Sequence, residues 1–138
     1  MNRLDLQHLA DLRVRDAEVL LESGRHDGAY YLLGYAVECA LKSCIAKQIR
    51  EHEFPDRKLV NDSYVHNLSK LLNVSGISDQ LDAEENLNRA FEANWGIVKD
   101  WSEERRHQHS VSEKVARDFF AAVTDPTNGV LTWLKKYW

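Results

Sequence analysis

The sequence predicts an all-α fold, an up-and-down bundle of four to five helices. Three observations carry that prediction. Apolar residues recur with helical period along the whole chain, and no run alternates with the two-residue period of a strand. Proline, the strongest helix breaker, occurs only at Pro55 and Pro126 in 138 residues. Between the periodic runs lie short clusters of Gly, Asn, Asp and Ser, which start and stop helices. A chain of this length forms one domain, residues 1–138, and buries roughly two thirds of its unfolded surface, so it needs no disulfide or structural metal.

The elements follow in order. A first helix is expected from about Leu4 to Ser23, with Leu6, Leu9, Ala10, Leu12, Ala17, Leu20 and Leu21 as its apolar side. Gly24 ends it, where a left-handed residue is favoured. Asp27 is expected to cap a second helix, from about Gly28 to Arg50. The stretch from Glu51 to Tyr64 holds Pro55, Asp56, Asn61, Asp62 and Ser63 and is expected to be a loop, followed by a short helix in HNLSKLL, residues 66–72. A third long helix is expected from about Gln80 to Trp101, with Leu81, Leu87, Ala90, Phe91, Trp95 and Val98 on one broad face. Ser112 starts a fourth, SEKVARDFFAAV, with Val115, Phe119 and Val123 on one side. Asp125-Pro126 breaks the chain and Thr127 can begin a last helix ending in LTWLKKYW. There is no internal repeat.

Composition narrows the function. The formal net charge is −4, so attraction of the whole molecule to nucleic acid is absent and any phosphate contact must come from a local basic cluster. No apolar run reaches the ~18 residues that span a bilayer, and no charged-then-apolar leader is seen, so no membrane is expected and the default compartment is the cytoplasm. Cys39 and Cys44 are five apart, roughly 140° around a helix, and read as reduced, buried small hydrophobes. No histidine or carboxylate pair has metal spacing, and neither metal nor cofactor is expected.

The second helix is apolar over most of its circumference. Ala29, Leu33, Ala36, Val37, Ala40 and Cys44 form one stripe, and Gly34, Ala36 and Ala40 permit close approach of a neighbour. Tyr31, Tyr35, Glu38 and Lys42 form a separate, more polar stripe. Glu38 is therefore expected at the edge of the buried region. One account is an ion pair with Lys42 worth a few tenths of a kcal/mol. The other is a partly buried carboxylate bonded to a tyrosine or to another helix, since burying it unpaired would cost several kcal/mol. Both accounts make Tyr31, Tyr35, Glu38 and Lys42 structural, at a helix or subunit contact; direct chemistry by the Glu38 carboxylate is the alternative that stays open.

The run GRHDGAYYLLGYAVECALKSCI, residues 24–45, resembles the second-helix signature of the HEPN domain family. HNLSKLLNVSGI, residues 66–77, resembles the segment that follows it in that family, and WGIVKDWSEERRH, residues 95–107, its third-helix end. The resemblance extends from about residue 5 to residue 123 and is most specific in the second helix. It implies a four- or five-helix bundle that dimerises and associates with nucleotides or RNA. Many relatives are metal-independent ribonucleases, often toxins paired with a nucleotidyltransferase antitoxin. Their active centre is an Arg, four to six residues, then a His, with two copies meeting in a dimer cleft.

The corresponding region here, WSEERRHQHS at residues 101–110, is where arginines and histidines cluster. Metal-free RNA cleavage needs a base for the ribose 2′-OH and a cation for the phosphorane, roles suited to His and Arg. On a helix Arg105 and His109 would share a face, and Arg106 and His109 nearly so. The spacing departs from the family motif: three residues separate Arg105 from His109 and two separate Arg106 from His109. The motif is thus absent or displaced. Three accounts stay open for this segment. It can be a solvated, mixed-charge helix end in which Glu103, Glu104, Arg105 and Arg106 offset one another. It can be a non-catalytic phosphate or nucleotide contact through Trp101, Arg105, Arg106 and His107. It can be a displaced ribonuclease site of Arg105, Arg106 and His109. His26 and His66 are read as turn or cap residues.

Two functions follow. The first is a dimeric nucleotide-, RNA- or partner-binding HEPN-type module of a toxin–antitoxin or defence system, without the standard ribonuclease site and with a nucleotidyltransferase as a possible partner. The alternative is an active metal-independent endoribonuclease toxin using a displaced Arg/His pair.

Overall fold

The computed structural model describes residues 1–51, 57–102 and 111–138. Among them it contains eight helices and no strand: α1 (Arg3–Glu22), α2 (His26–Glu51), α3 (Arg57–Asp62), α4 (Leu68–Val74), α5 (Ser78–Leu87), α6 (Arg89–Val98), α7 (Glu113–Thr124) and α8 (Val130–Leu134). The all-α helical bundle expected from the sequence is the fold observed. Also among the described residues, no helix is long and apolar enough to cross a membrane.

The bundle is built around α2. Its central residues Leu33, Ala36, Val37, Ala40 and Leu41 are fully buried, and α1, α4, α7 and α8 all pack on it. The chain reverses between α1 and α2 at Ser23–Arg25, where Gly24 takes φ of 74°. That is the left-handed conformation glycine adopts without the steric cost a Cβ imposes. At its other end α1 is held by a capping box in which Asn2 and Asp5 exchange side-chain and backbone bonds. The end of the chain docks on α1 as well: the backbone oxygen of Trp138 accepts from Arg3 Nε at 2.7 Å and Gln7 Nε2 at 2.8 Å, and Lys135 pairs with Asp11 at 2.7 Å.

Several expected elements are subdivided. The long third helix is two, α5 and α6, separated at Asn88, whose backbone is extended (φ −137°, ψ 98°). Asn88 caps α6 by accepting from Phe91 N, and its amide donates to Asn128 Oδ1 at 2.8 Å, tying the break to the turn between α7 and α8. Helical phase is lost there, so Leu87 is 86% exposed instead of joining the apolar face, and Ala90 is exposed too. On α7 the buried side is Ala116, Phe119, Ala122 and Val123, and Val115 faces outward. The stretch expected to be loop contains α3, and the last helix starts at Val130 after a turn in which Asp125 Oδ2 accepts from Thr127 N and Asn128 N. Asp27 does not cap α2, which begins one residue earlier at His26; its carboxylate instead accepts from Val111 N at the start of the last described segment.

Candidate functional site

Glu38 is more deeply buried than its sequence position suggests. It is 1% exposed, so it lies inside the core and not at its edge. Its Oε1 receives two partners. Lys42, one turn along α2, brings Nζ to 3.1 Å, and His66 brings Nδ1 to 2.5 Å. His66 immediately precedes Asn67, which caps α4 by accepting from Lys70 N at 2.9 Å. The cap fixes where the chain enters α4, and Leu68, Leu71 and Leu72 bury that helix against the core. Helix α4 thereby delivers His66 to Glu38. The carboxylate thus links α2 to the residue just before the α4 cap within one chain.

The contact also sets the chemistry of the imidazole. A carboxylate accepts only, so Nδ1 carries the proton, and a neutral His66 has its lone pair on Nε2. A carboxylate holding one imidazole nitrogen fixes the orientation of the ring. The cation count is balanced: Lys42 offsets Glu38, and His66 adds a positive charge only when protonated. Burial of the two charged partners is unequal, with the Lys42 and His66 side chains 26% and 48% exposed. Solvent screens both, and each contact is worth far less than the low-dielectric limit.

The role of His66 is not legible from its local sequence. That sequence suggests a turn or cap residue, and His66 does precede the cap, but it is also the partner that a buried carboxylate requires. The signal available is the physical demand itself. A carboxylate in an apolar helix must be paired, and the polar segment after that helix offers few groups able to pair with it.

A second cluster surrounds Gly34. The ring of Trp101, 1% exposed, lies across it, and its centroid is 6.0 Å from that of Tyr31. A Cβ at position 34 would fall 2.0 Å from the Trp101 ring. The small residue expected to admit a neighbouring helix in fact admits an indole. Trp101 is thus a core side chain whose ring is covered, not a platform presented to a base. Tyr31, Tyr35 and Lys42 are partly exposed along one side of α2. Arg105, Arg106, His107 and His109 lie outside the described residues, but the residues that flank their segment do not. Trp101 packs on Gly34, and Val111 N donates to Asp27, so both flanks are fastened to the first half of α2.

The cysteines are free and buried. Burial, with the Glu38 carboxylate beside it, pushes the Cys39 thiol up to about 11, and burial pushes Cys44 up to about 12. Both stay protonated in the folded chain at neutral pH. A thiol reagent at about pH 8 is expected to leave the native protein almost unmodified and to titrate both cysteines after unfolding. A folded-state value raised above the unfolded one leaves stability unaffected below the unfolded value, near 9.0, and lowers it as pH rises from there toward about 11, since only the unfolded thiolate forms. Denaturation of Cys39→Ala across the same range should show a smaller loss.

Among the described residues no group of three His, Cys, Asp or Glu side chains is placed to hold a metal ion. Comparison with known proteins adds no family: the chain matches no protein-family model, no curated protein and no solved structure.

Proposed function

We propose that the chain is a HEPN-like, homodimeric module that binds RNA or nucleotide phosphates through the segment containing Arg105, Arg106, His107 and His109, without the standard ribonuclease arrangement. One observation carries this reading. The flanks of the basic segment are fastened to α2 by Trp101 on Gly34 and by Val111 on Asp27. Tethering both ends of a short segment lowers the entropy lost when its cations close on a phosphate. A net charge of −4 leaves little attraction elsewhere, so binding depends on this segment. The resemblance of residues 24–45 to the HEPN second helix supports the dimer and a nucleotidyltransferase partner, and the departure from the Arg-x(4–6)-His spacing favours binding over cleavage.

The test is fluorescence anisotropy with labelled single-stranded RNA over a range of salt, with light scattering on the same sample. Arg105→Ala/Arg106→Ala is expected to weaken binding roughly tenfold or more, about 1.4 kcal/mol, and to flatten the log–log salt slope by about 0.7 for each phosphate no longer neutralised. Scattering should give twice the mass of one chain. Absence of RNA and nucleotide binding by the wild type, or an unchanged slope in the double variant, defeats the proposal. Cleavage of the RNA by the wild type that disappears in His109→Ala would establish the enzymatic alternative instead.

A further inference from the structure

A cavity of about 400 Å³ opens between α1, α2 and α3, remote from the basic segment in sequence. Its walls are mostly apolar, with Leu6 and Leu9 from α1, Ile45, Ala46 and Ile49 from α2 and Val60 from α3, and Lys42 and Ser63 add polar groups. Met1 and Tyr64, 83% and 78% exposed, also line it and so stand at its mouth. The volume falls within the ~300–1,000 Å³ of small-molecule sites, which are likewise mostly apolar with a few placed polar groups. Glu38 lines the same cavity. Its Oε1 is engaged by Lys42 and His66, while its Oε2 is buried and has no hydrogen-bond partner among the described residues. A buried carboxylate oxygen without a donor is costly, and such an atom beside an apolar cavity calls for a donor from outside the chain.

We propose that this cavity binds a small molecule with an apolar body and a neutral hydrogen-bond-donating head, a hydroxyl or primary amide, which donates to Glu38 Oε2. The site selects a neutral head because Lys42 already balances the carboxylate, so neither a second cation nor a second anion is favoured beside it. Because Oε2 is buried, the head reaches it only when the cavity wall that Tyr35 and Lys42 share with Glu38 adjusts. The basic segment plays no part, so the site stands or falls separately from RNA binding.

The probes are 1-octanol and octanoate, which share a chain and differ in head. Calorimetry or thermal shift of the full chain is expected to show 1-octanol raising Tm by a few degrees at concentrations of about 1 mM, with octanoate at least ~10-fold weaker. Glu38→Gln should lose 1-octanol binding about tenfold or more. Lys42 Nζ and His66 Nδ1 are both donors, so they retain the Gln oxygen and turn its NH₂ toward the ligand's own donor. Ala46→Phe, which fills the cavity from α2, should abolish the shift; it decides the case if Glu38→Gln does not fold. No shift in the wild type, equal affinity for octanoate, or undiminished 1-octanol binding by folded Ala46→Phe or Glu38→Gln overturns the proposal.

Discussion

Gly34→Ala is expected to destabilise the protein by about 2–4 kcal/mol, although alanine is the better helix former. Two effects oppose each other. Propensity alone favours alanine in a helix interior by roughly 1 kcal/mol. Against it, the new methyl would lie 2.0–2.1 Å from three atoms of the Trp101 ring, well inside contact distance. Alanine cannot evade this by rotation, so the indole must move. Trp101 is among the largest fully buried side chains, and losing such a side chain from a core costs about 3–5 kcal/mol. Packing therefore wins. For a domain of this size the midpoint should fall by about 5–15 °C. Tryptophan emission should shift to the red as Trp101 reaches water. Gly96→Ala in α6 is the internal control, because an added Cβ there meets nothing within 4 Å, and it should stabilise slightly. An unchanged melting curve for Gly34→Ala would mean that Trp101 does not lie across Gly34. Because Trp101 also adjoins the basic segment, the RNA binding proposed above should weaken in the variant more than its folded fraction explains.

The same pair shows what the sequence could and could not convey. That Gly34 admits something close is legible, because a glycine in the middle of an apolar helix is seldom there for propensity. That the visitor is an indole from just beyond α6 is not, since side chains distant in sequence meet only through the tertiary arrangement. Helix identity follows from periodicity and caps, and Ser112 caps α7 as its sequence suggests. The break at Asn88 escapes a reading by periodicity because the apolar pattern runs through it: Leu87, Phe91 and Trp95 keep helical spacing whether or not the backbone does. What decides is an asparagine able to bond both its own helix and Asn128, forty residues away. Long-range polar contacts of this kind leave no local periodicity. The same applies to Asp27, a suitable cap by residue type that is drawn away by Val111.

Glu38 is conspicuous in the sequence for a good reason, and its replacement should have the second large effect. Glu38→Ala removes the acceptor shared by Lys42 and His66 and leaves a void beside the neighbouring cavity. Deleting one member of a fully buried ion pair costs about 3–5 kcal/mol. Here the partners are 26% and 48% exposed and can turn to water, so about 2–3 kcal/mol is expected, with a midpoint lower by about 5–10 °C. Glu38→Gln keeps one oxygen for the two donors and preserves volume, so it should cost about 1 kcal/mol. His66→Ala alone should cost a similar amount, because its ring is already half in water. The decisive comparison is the double variant Glu38→Ala/His66→Ala. If the 2.5 Å contact couples α2 to α4, its destabilisation should fall short of the sum of the two single variants by about 0.5–1 kcal/mol. Strict additivity would mean that Glu38 is held by Lys42 alone, and that α4 is positioned by Leu68, Leu71 and Leu72 without help from the histidine. The distinction matters for assembly too. A carboxylate whose Oε1 is paired within its own chain predicts that Glu38→Ala lowers the melting point without changing the oligomeric mass, whereas a carboxylate at a subunit contact would change both.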